Sequence, residues 1–141
     1  MSIKLPKLSA ETPVNAKFIV FYFYPKDDTP GCTLEAQGFR DHYAEFVKLG
    51  ACIYGVSRDS DKSHEKFKCK YELPFELISD PEEKLCQHFD VMKLKKLYGK
   101  EYVGIDRSTF LFANGKLLKE WRGVKVPGHV EAVLEEIKQQ K

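Results

Sequence analysis

An unbroken run of aromatic and β-branched residues, KFIVFYFY at 17–24, ends abruptly in Pro25-Lys26-Asp27-Asp28-Thr29-Pro30-Gly31. A run this short and this apolar fits a central strand buried on both faces of a sheet. The segment after it is dense in turn formers, so the chain must leave the sheet there. Cys32 follows at once. From it the apolar positions Ala36, Phe39, Tyr43, Phe46 and Val47 recur at steps of three and four, which predicts a helix from about Cys32 to Leu49. Gly50 closes that helix as a C-terminal glycine.

The rest of the chain alternates in the same way. ACIYGV at 51–56 reads as a second buried strand, and Ser60 or Asp61 caps a helix running to about Tyr71. Phe75–Ile78 is a short strand. Asp80-Pro81-Glu82-Glu83 places a capping residue, a proline at the first helical position and a glutamate at the third, predicting a helix through Phe89. Residues 90–104 read as a long polar connection. Ser108–Ala113, the turn Asn114-Gly115 and Lys116–Arg122 form a hairpin, because Asn-Gly suits a two-residue turn with positive φ. A final helix runs from about Gly128 to Lys138, with Val130, Val133, Leu134 and Ile137 on one face. Strands alternating with helices and ending in a hairpin predict an α/β sandwich with a mixed central sheet, in a single domain over 1–141.

Composition narrows the function. At 141 residues, 43% hydrophobic and 31% charged, the chain can bury one core without disulfides or metals. A net charge of +2, with basic residues scattered apart from Lys93–Lys96 on an expected solvated loop, gives a nucleic-acid role no support. No apolar run is long enough to span a membrane, and the N-terminus lacks the core of a secretory signal, so a cytoplasmic protein is expected. Cys32, Cys52, Cys69 and Cys86 stand far apart, and none forms the close pairs of cysteine-built metal sites.

Cys32 differs from the other three. At the first turn of a helix the backbone N–H groups are unpaired and the dipole presents positive charge, both of which favour thiolate over thiol. A cysteine so placed is expected to be exposed and nucleophilic. On their own, Pro25 and Thr29 still read as turn residues, Arg107 as a surface cation, and Glu35 as a capping carboxylate.

The surrounding wording decides between these readings. Pro25, Thr29 and Cys32 stand as P-x-x-x-T-x-x-C inside YFYPKDDTPGCTLEAQGFRD, which resembles the active-site signature of peroxiredoxins, and of their bacterioferritin-comigratory (Q-type) subfamily in particular. YGVSRDS at 54–60, LPFELISD at 73–80, GIDRSTFLF at 104–112 and VPGHVEAVL at 126–134 continue the resemblance. It implies a thioredoxin-like three-layer sandwich, a mixed sheet flanked by helices. It implies a thiol-dependent peroxidase for hydrogen peroxide and alkyl hydroperoxides, recycled by thioredoxin or another dithiol. No metal, haem or flavin is implied, and the subfamily suggests a monomer. Cys32 would be the peroxidatic nucleophile. Thr29 would hydrogen-bond its sulfur and the peroxide, Pro25 would shield the pocket, Arg107 would stabilise thiolate, and Glu35 would support the site. Trp121 and His129 match the pattern but also suit packing and capping. The alternative is a peroxide sensor or redox-regulated holdase built on the same cysteine.

Two features depart from the subfamily. The position of the usual nearby resolving cysteine is Gln37. Cys52 and Cys86 read as core, which leaves Cys69, flanked by Lys68 and Lys70, as the candidate resolving thiol against a one-cysteine cycle. Only about sixteen residues precede the first strand, so the subfamily's N-terminal hairpin is expected to be reduced.

Overall fold

The computed structural model describes residues 17–140, so the expected reduction of the N-terminal hairpin lies outside the described residues. The aromatic run forms β1 (Phe18–Phe23), buried along its whole length. It pairs in parallel with β2 (Ala51–Ser57) on one side and antiparallel with β6 (Ser108–Ala113) on the other. With β3 (Glu76–Ser79) beyond β2 and β7 (Lys116–Trp121) beyond β6, the five-stranded sheet has the order β3-β2-β1-β6-β7 and mixed direction.

The period-two alternation of β1 builds a core on each face. Phe18, Val20, Tyr22 and Tyr24 pack with residues of α1 (Pro30–Asp41), α2 (Tyr43–Lys48), α3 (Asp61–Lys70) and α5 (His129–Gln139). Ile19, Phe21 and Phe23 face the other way, against Cys86 of α4 (Lys84–His88), Phe89, Val91 and Ile105. The sheet is therefore the middle of three layers.

Four local expectations are corrected. The helix expected over 32–49 starts at Pro30 and breaks at His42 into α1 and α2. Phe39 and Phe46 are a heptad apart and bury in one cluster on both sides of the break, so the apolar stripe continues across it. The helix expected from Pro81 begins only at Lys84. Asp80 does accept from the backbone N–H groups of Leu85 and Cys86, at 3.1 and 2.8 Å, but a turn closed by Glu83 N–H to the Asp80 carbonyl comes first. The short strand expected over 75–78 lies at 76–79.

The fourth correction is the largest. The supposed connection at 90–104 is a hairpin of β4 (Met92–Leu97) and β5 (Lys100–Ile105). Positive φ at Tyr98 (52°) and Gly99 (76°) makes its two-residue turn, and the Lys93–Lys96 cluster therefore lies on a strand. Leu94, Tyr98, Tyr102 and Val103 remain exposed, so the strands carry no clean apolar alternation by which to be recognised.

Candidate active site

Beyond β1 the backbone turns away from the sheet after Tyr24, whose N–H still bonds the Val56 carbonyl. Asp28 takes a left-handed φ of 56°, and Thr29 returns to extended geometry as the N-cap of α1. Pro30 is then the first helical residue, where its missing N–H costs nothing, and Cys32 sits in the first turn. The position relative to the helix terminus is as expected, but the exposure is not: Cys32 is 1% exposed. It shares the inward stripe of α1 with Ala36 and Phe39, at i, i+4 and i+7, and packs in the core.

Arg107 reaches this sulfur from the short link between β5 and β6. Its Nη2 donates to Cys32 Sγ at 3.3 Å, and its Nη1 donates to Glu35 Oε1 at 2.7 Å. One planar guanidinium thus holds two partners in fixed geometry. The link itself is held in place: Asp106 N–H bonds the Val91 carbonyl at 2.7 Å, and the Arg107 carbonyl accepts from Val124 N–H at 2.9 Å. Gly31 leaves room for the guanidinium, since a Cβ there would stand 3.1 Å from Arg107 Nη2.

Glu35 is fully buried one turn into α1 and lies outside the first turn, so it does not cap the helix. Its second oxygen has no hydrogen-bond partner among the described residues. Burial pushes its carboxyl up to about 7, although the charge and hydrogen bond of Arg107 pull the other way. Between about pH 4.5 and 7 the native state holds a proton that the unfolded chain has released, so this group's contribution to stability falls as pH rises through that window. Urea unfolding should show up to about 3 kcal/mol of such loss for the native chain, and Glu35→Gln should remove it. Identical pH dependence in both proteins would contradict this assignment.

Thr29 lies in the expected loop, but its proton has a backbone partner. Its hydroxyl donates to the Lys26 carbonyl at 2.8 Å and not to the sulfur, which leaves its oxygen as an acceptor. Pro25 is half-buried in the same loop. Lys95, read from the sequence as a loop lysine, is half-buried on β4 and donates to the Ile105 carbonyl, two residues before Arg107. Burial lowers its ammonium, which lies within electrostatic reach of Asp106, Arg107 and Cys32. His129, the first residue of α5, is buried, packs edge-on against Trp121, and pairs through Nε2 with Thr109 Oγ1 at 2.7 Å. Burial and the Arg107 charge push it down to about 4, so its ring is neutral at pH 7.

The other cysteines separate by environment. Burial pushes the Cys52 and Cys86 thiols up, with the Asp80 carboxylate adding to the effect at Cys86, and disfavours their thiolates. Cys69 is exposed on α3. The end of α3 that carries it is tied to the active-site loop: Lys70 Nζ and Tyr71 Oη donate to the Asp28 carboxylate at 2.8 and 2.7 Å, and Arg40 Nη1 of α1 donates to the Tyr71 carbonyl at 2.9 Å.

A buried polar cluster beneath the loop gave no sequence signal. Tyr24 Oη donates to Asp27 Oδ1 at 2.6 Å, and Asp27 Oδ2 stands 2.8 Å from His64 Nδ1 across a sequence separation of 37. Nothing local could have paired Asp27 with His64.

Comparison with known proteins shows the family. The AhpC/TSA family profile matches residues 4–120. Peroxiredoxin Bcp of Bacillus subtilis is 58% identical over 86% of this chain and 78% of its own length. The chain is a peroxiredoxin of the AhpC/TSA family. Among solved structures, the bacterioferritin comigratory protein of Xanthomonas campestris, studied for its alkyl peroxide reduction activity, matches with a TM-score of 0.84 and 51% identity. That match covers 89% of this peroxiredoxin and 80% of the other chain. BcpB of Mycobacterium tuberculosis matches with a TM-score of 0.78 at 29% identity over 88% and 80% of the two chains. The fold is thus thioredoxin-like, and the enzyme is a thiol-dependent peroxidase of the Bcp/Q type.

Proposed function

We propose that Cys32 is the peroxidatic nucleophile and that Arg107 holds it as a thiolate. The observation that carries this reading is the 3.3 Å contact from the guanidinium to the sulfur at a helix N-terminus. The thiolate attacks one peroxide oxygen, the S–O bond forms as the O–O bond breaks, and the electron pair leaves on the other oxygen. The peroxide's own proton ends on that leaving oxygen, giving water or alcohol and a sulfenate at Cys32, which takes one proton from solvent to become the sulfenic acid. Arg107 stabilises the charge as it moves from sulfur to oxygen. Thr29, its proton committed to Lys26, offers an acceptor to the peroxide O–H. Pro25 shields the pocket, and Glu35 holds the guanidinium in register.

Resolution requires movement, because a sulfur 1% exposed cannot meet a second thiol in place. In our reading the first turn of α1 unwinds. Thr29 makes no side-chain cap bond to α1, so that turn lacks one of the usual terminal hydrogen bonds. Cys69 then attacks the sulfenic sulfur, water leaves, and a Cys32–Cys69 disulfide results. Its attachment to Asp28 through Lys70 and Tyr71 supports this choice over Cys52 and Cys86. Thioredoxin or another dithiol reduces the disulfide by exchange, with the enzyme acting as a cytoplasmic monomer.

Two measurements test this cycle. With thioredoxin and its reductase present, peroxide should be consumed over many turnovers; consumption that stops after one equivalent would favour a sensor. After one equivalent of peroxide, non-reducing peptide mapping should find Cys32 linked to Cys69. Cys69→Ser should keep the first oxidation and lose the link, whereas a lone sulfenic acid in the native chain would establish the one-cysteine route.

A further inference from the structure

His64 lies on α3, 4% exposed, with an acceptor at each ring nitrogen. Nε2 is 3.0 Å from the Ile78 carbonyl, which can only accept, so Nε2 carries a proton. Nδ1 is 2.8 Å from Asp27 Oδ2. That carboxylate also accepts from Ser63 Oγ at 2.8 Å and, through its other oxygen, from Tyr24 Oη at 2.6 Å. With a hydroxyl donated to each of its oxygens, the Asp27 carboxyl is favoured as the ionised acceptor, which leaves Nδ1 to donate as well. Both nitrogens are then protonated and the ring is an imidazolium in a buried ion pair.

The charged groups that face this ring are mostly acidic. Tyr24 comes from the end of β1, 3.4 Å from Nδ1, and Asp27 from the loop; Asp59 lies on the link between β2 and α3. On the outer side, Asp61, Glu65 and Lys68 of α3 and Glu76 of β3 border the groove beside it. Carboxylates outnumber the single lysine. Burial alone would lower His64, but the Asp27 hydrogen bond and charge, the Ile78 carbonyl and Asp59 together raise it above its ordinary value. Asp27 is held below its ordinary value, since the bonds from His64, Tyr24 and Ser63 outweigh its burial.

The ion pair also has a particular place. Asp27 lies between Pro25 and Thr29, and its own N–H bonds Asp59 Oδ2 at 2.8 Å. Lys26, its neighbour, supplies the carbonyl that orients the Thr29 hydroxyl. We infer that His64 is a positioning residue for peroxide reduction: clamped as an imidazolium between Asp27 and Ile78, it fixes the Pro25–Thr29 loop that aims Thr29 and starts the helix of Cys32. This rests on Cys32 being the attacking sulfur. The clamp is complete below the unfolded histidine value of about 6.5. It is lost as pH rises through the raised folded value.

The test joins ring-nitrogen NMR of the native enzyme to single-turnover oxidation by hydrogen peroxide across the same pH range. Both His64 nitrogens should read as protonated at pH 7, and the oxidation rate should fall as they titrate. His64→Gln should be slower by roughly 10- to 100-fold at pH 6.5, the cost of a misplacement of up to about 1 Å, and should lack the falling limb. A neutral ring at pH 7 would overturn the proposal. So would a glutamine variant that loses thermal stability but keeps the native rate and pH profile, since His64 would then be structural only. A native enzyme that peroxide does not oxidise would overturn the underlying reading, whereas a neutral ring in a reactive enzyme overturns this proposal alone.

Discussion

Cys32→Ser is expected to abolish peroxide consumption, with a loss of more than about 1,000-fold, the scale on which deleting a catalytic nucleophile acts. Serine is nearly isosteric and its hydroxyl can accept the Arg107 donor, so the buried site should keep its shape. What disappears is the ionisable, polarisable sulfur that can take up oxygen. Cys52→Ser, by contrast, should retain the peroxidase rate, because burial disfavours the thiolate at that position. Coupled assays on both variants make the comparison. A Cys32→Ser enzyme with even a tenth of native activity would place the chemistry on another residue.

Arg107→Ala should carry the second largest effect, and in two currents that can be separated. The rate of sulfenic acid formation should fall by about 100- to 1,000-fold, the usual consequence of removing a donor aimed at developing charge. Stability should fall by about 3 kcal/mol or more at pH 8, since truncating one partner of a buried ion pair strands the other. The stranded group is Glu35, whose second oxygen already has no partner among the described residues. In acid Glu35 takes up a proton, so the stability loss should shrink as pH falls toward 5. Adding Glu35→Gln to Arg107→Ala should therefore recover stability without recovering rate. Arg107→Lys should recover little of either, because a single ammonium cannot bridge Glu35 Oε1 and Cys32 Sγ as the planar fork does. Stopped-flow oxidation and urea titration read the two quantities; a rate within threefold of native for Arg107→Ala would contradict the role assigned to the guanidinium.

The sequence was informative where the physics is local. A strand buried on both faces needs apolar residues at every position, and KFIVFYFY showed that directly. The Asn114-Gly115 turn has the positive φ values its residue types predict. Cys32 could be placed in the first turn of a helix because the Pro/Gly loop before it ends the strand and the apolar periodicity begins just after it. The hairpin of β4 and β5 was hidden because its strands keep Leu94, Val103 and Tyr102 in solvent, so no face is marked by polarity. The break at His42 was hidden because it preserves the phase of the apolar stripe.

The site divides along the same line. Arg107 was identified through resemblance, not spacing, since 75 residues separate it from Cys32. The burial of Cys32 was missed because a helix terminus was equated with the surface, whereas this one points its first turn into the core. Asp27 and His64 went unnoticed because each is an ordinary polar residue until the fold brings them within 2.8 Å. Thr29 is expected to bond the sulfur and the peroxide, but its donor proton goes to the Lys26 carbonyl, an acceptor that no residue pattern marks.

Trapping the oxidised sulfur tests the central claim most directly. The reduced enzyme is given one equivalent of hydrogen peroxide in the presence of dimedone, digested, and the adduct located by mass spectrometry. The adduct is predicted on the peptide containing Cys32, at close to one per chain, with Cys52, Cys69 and Cys86 unlabelled. An adduct on any of those three with Cys32 still reduced would contradict the account.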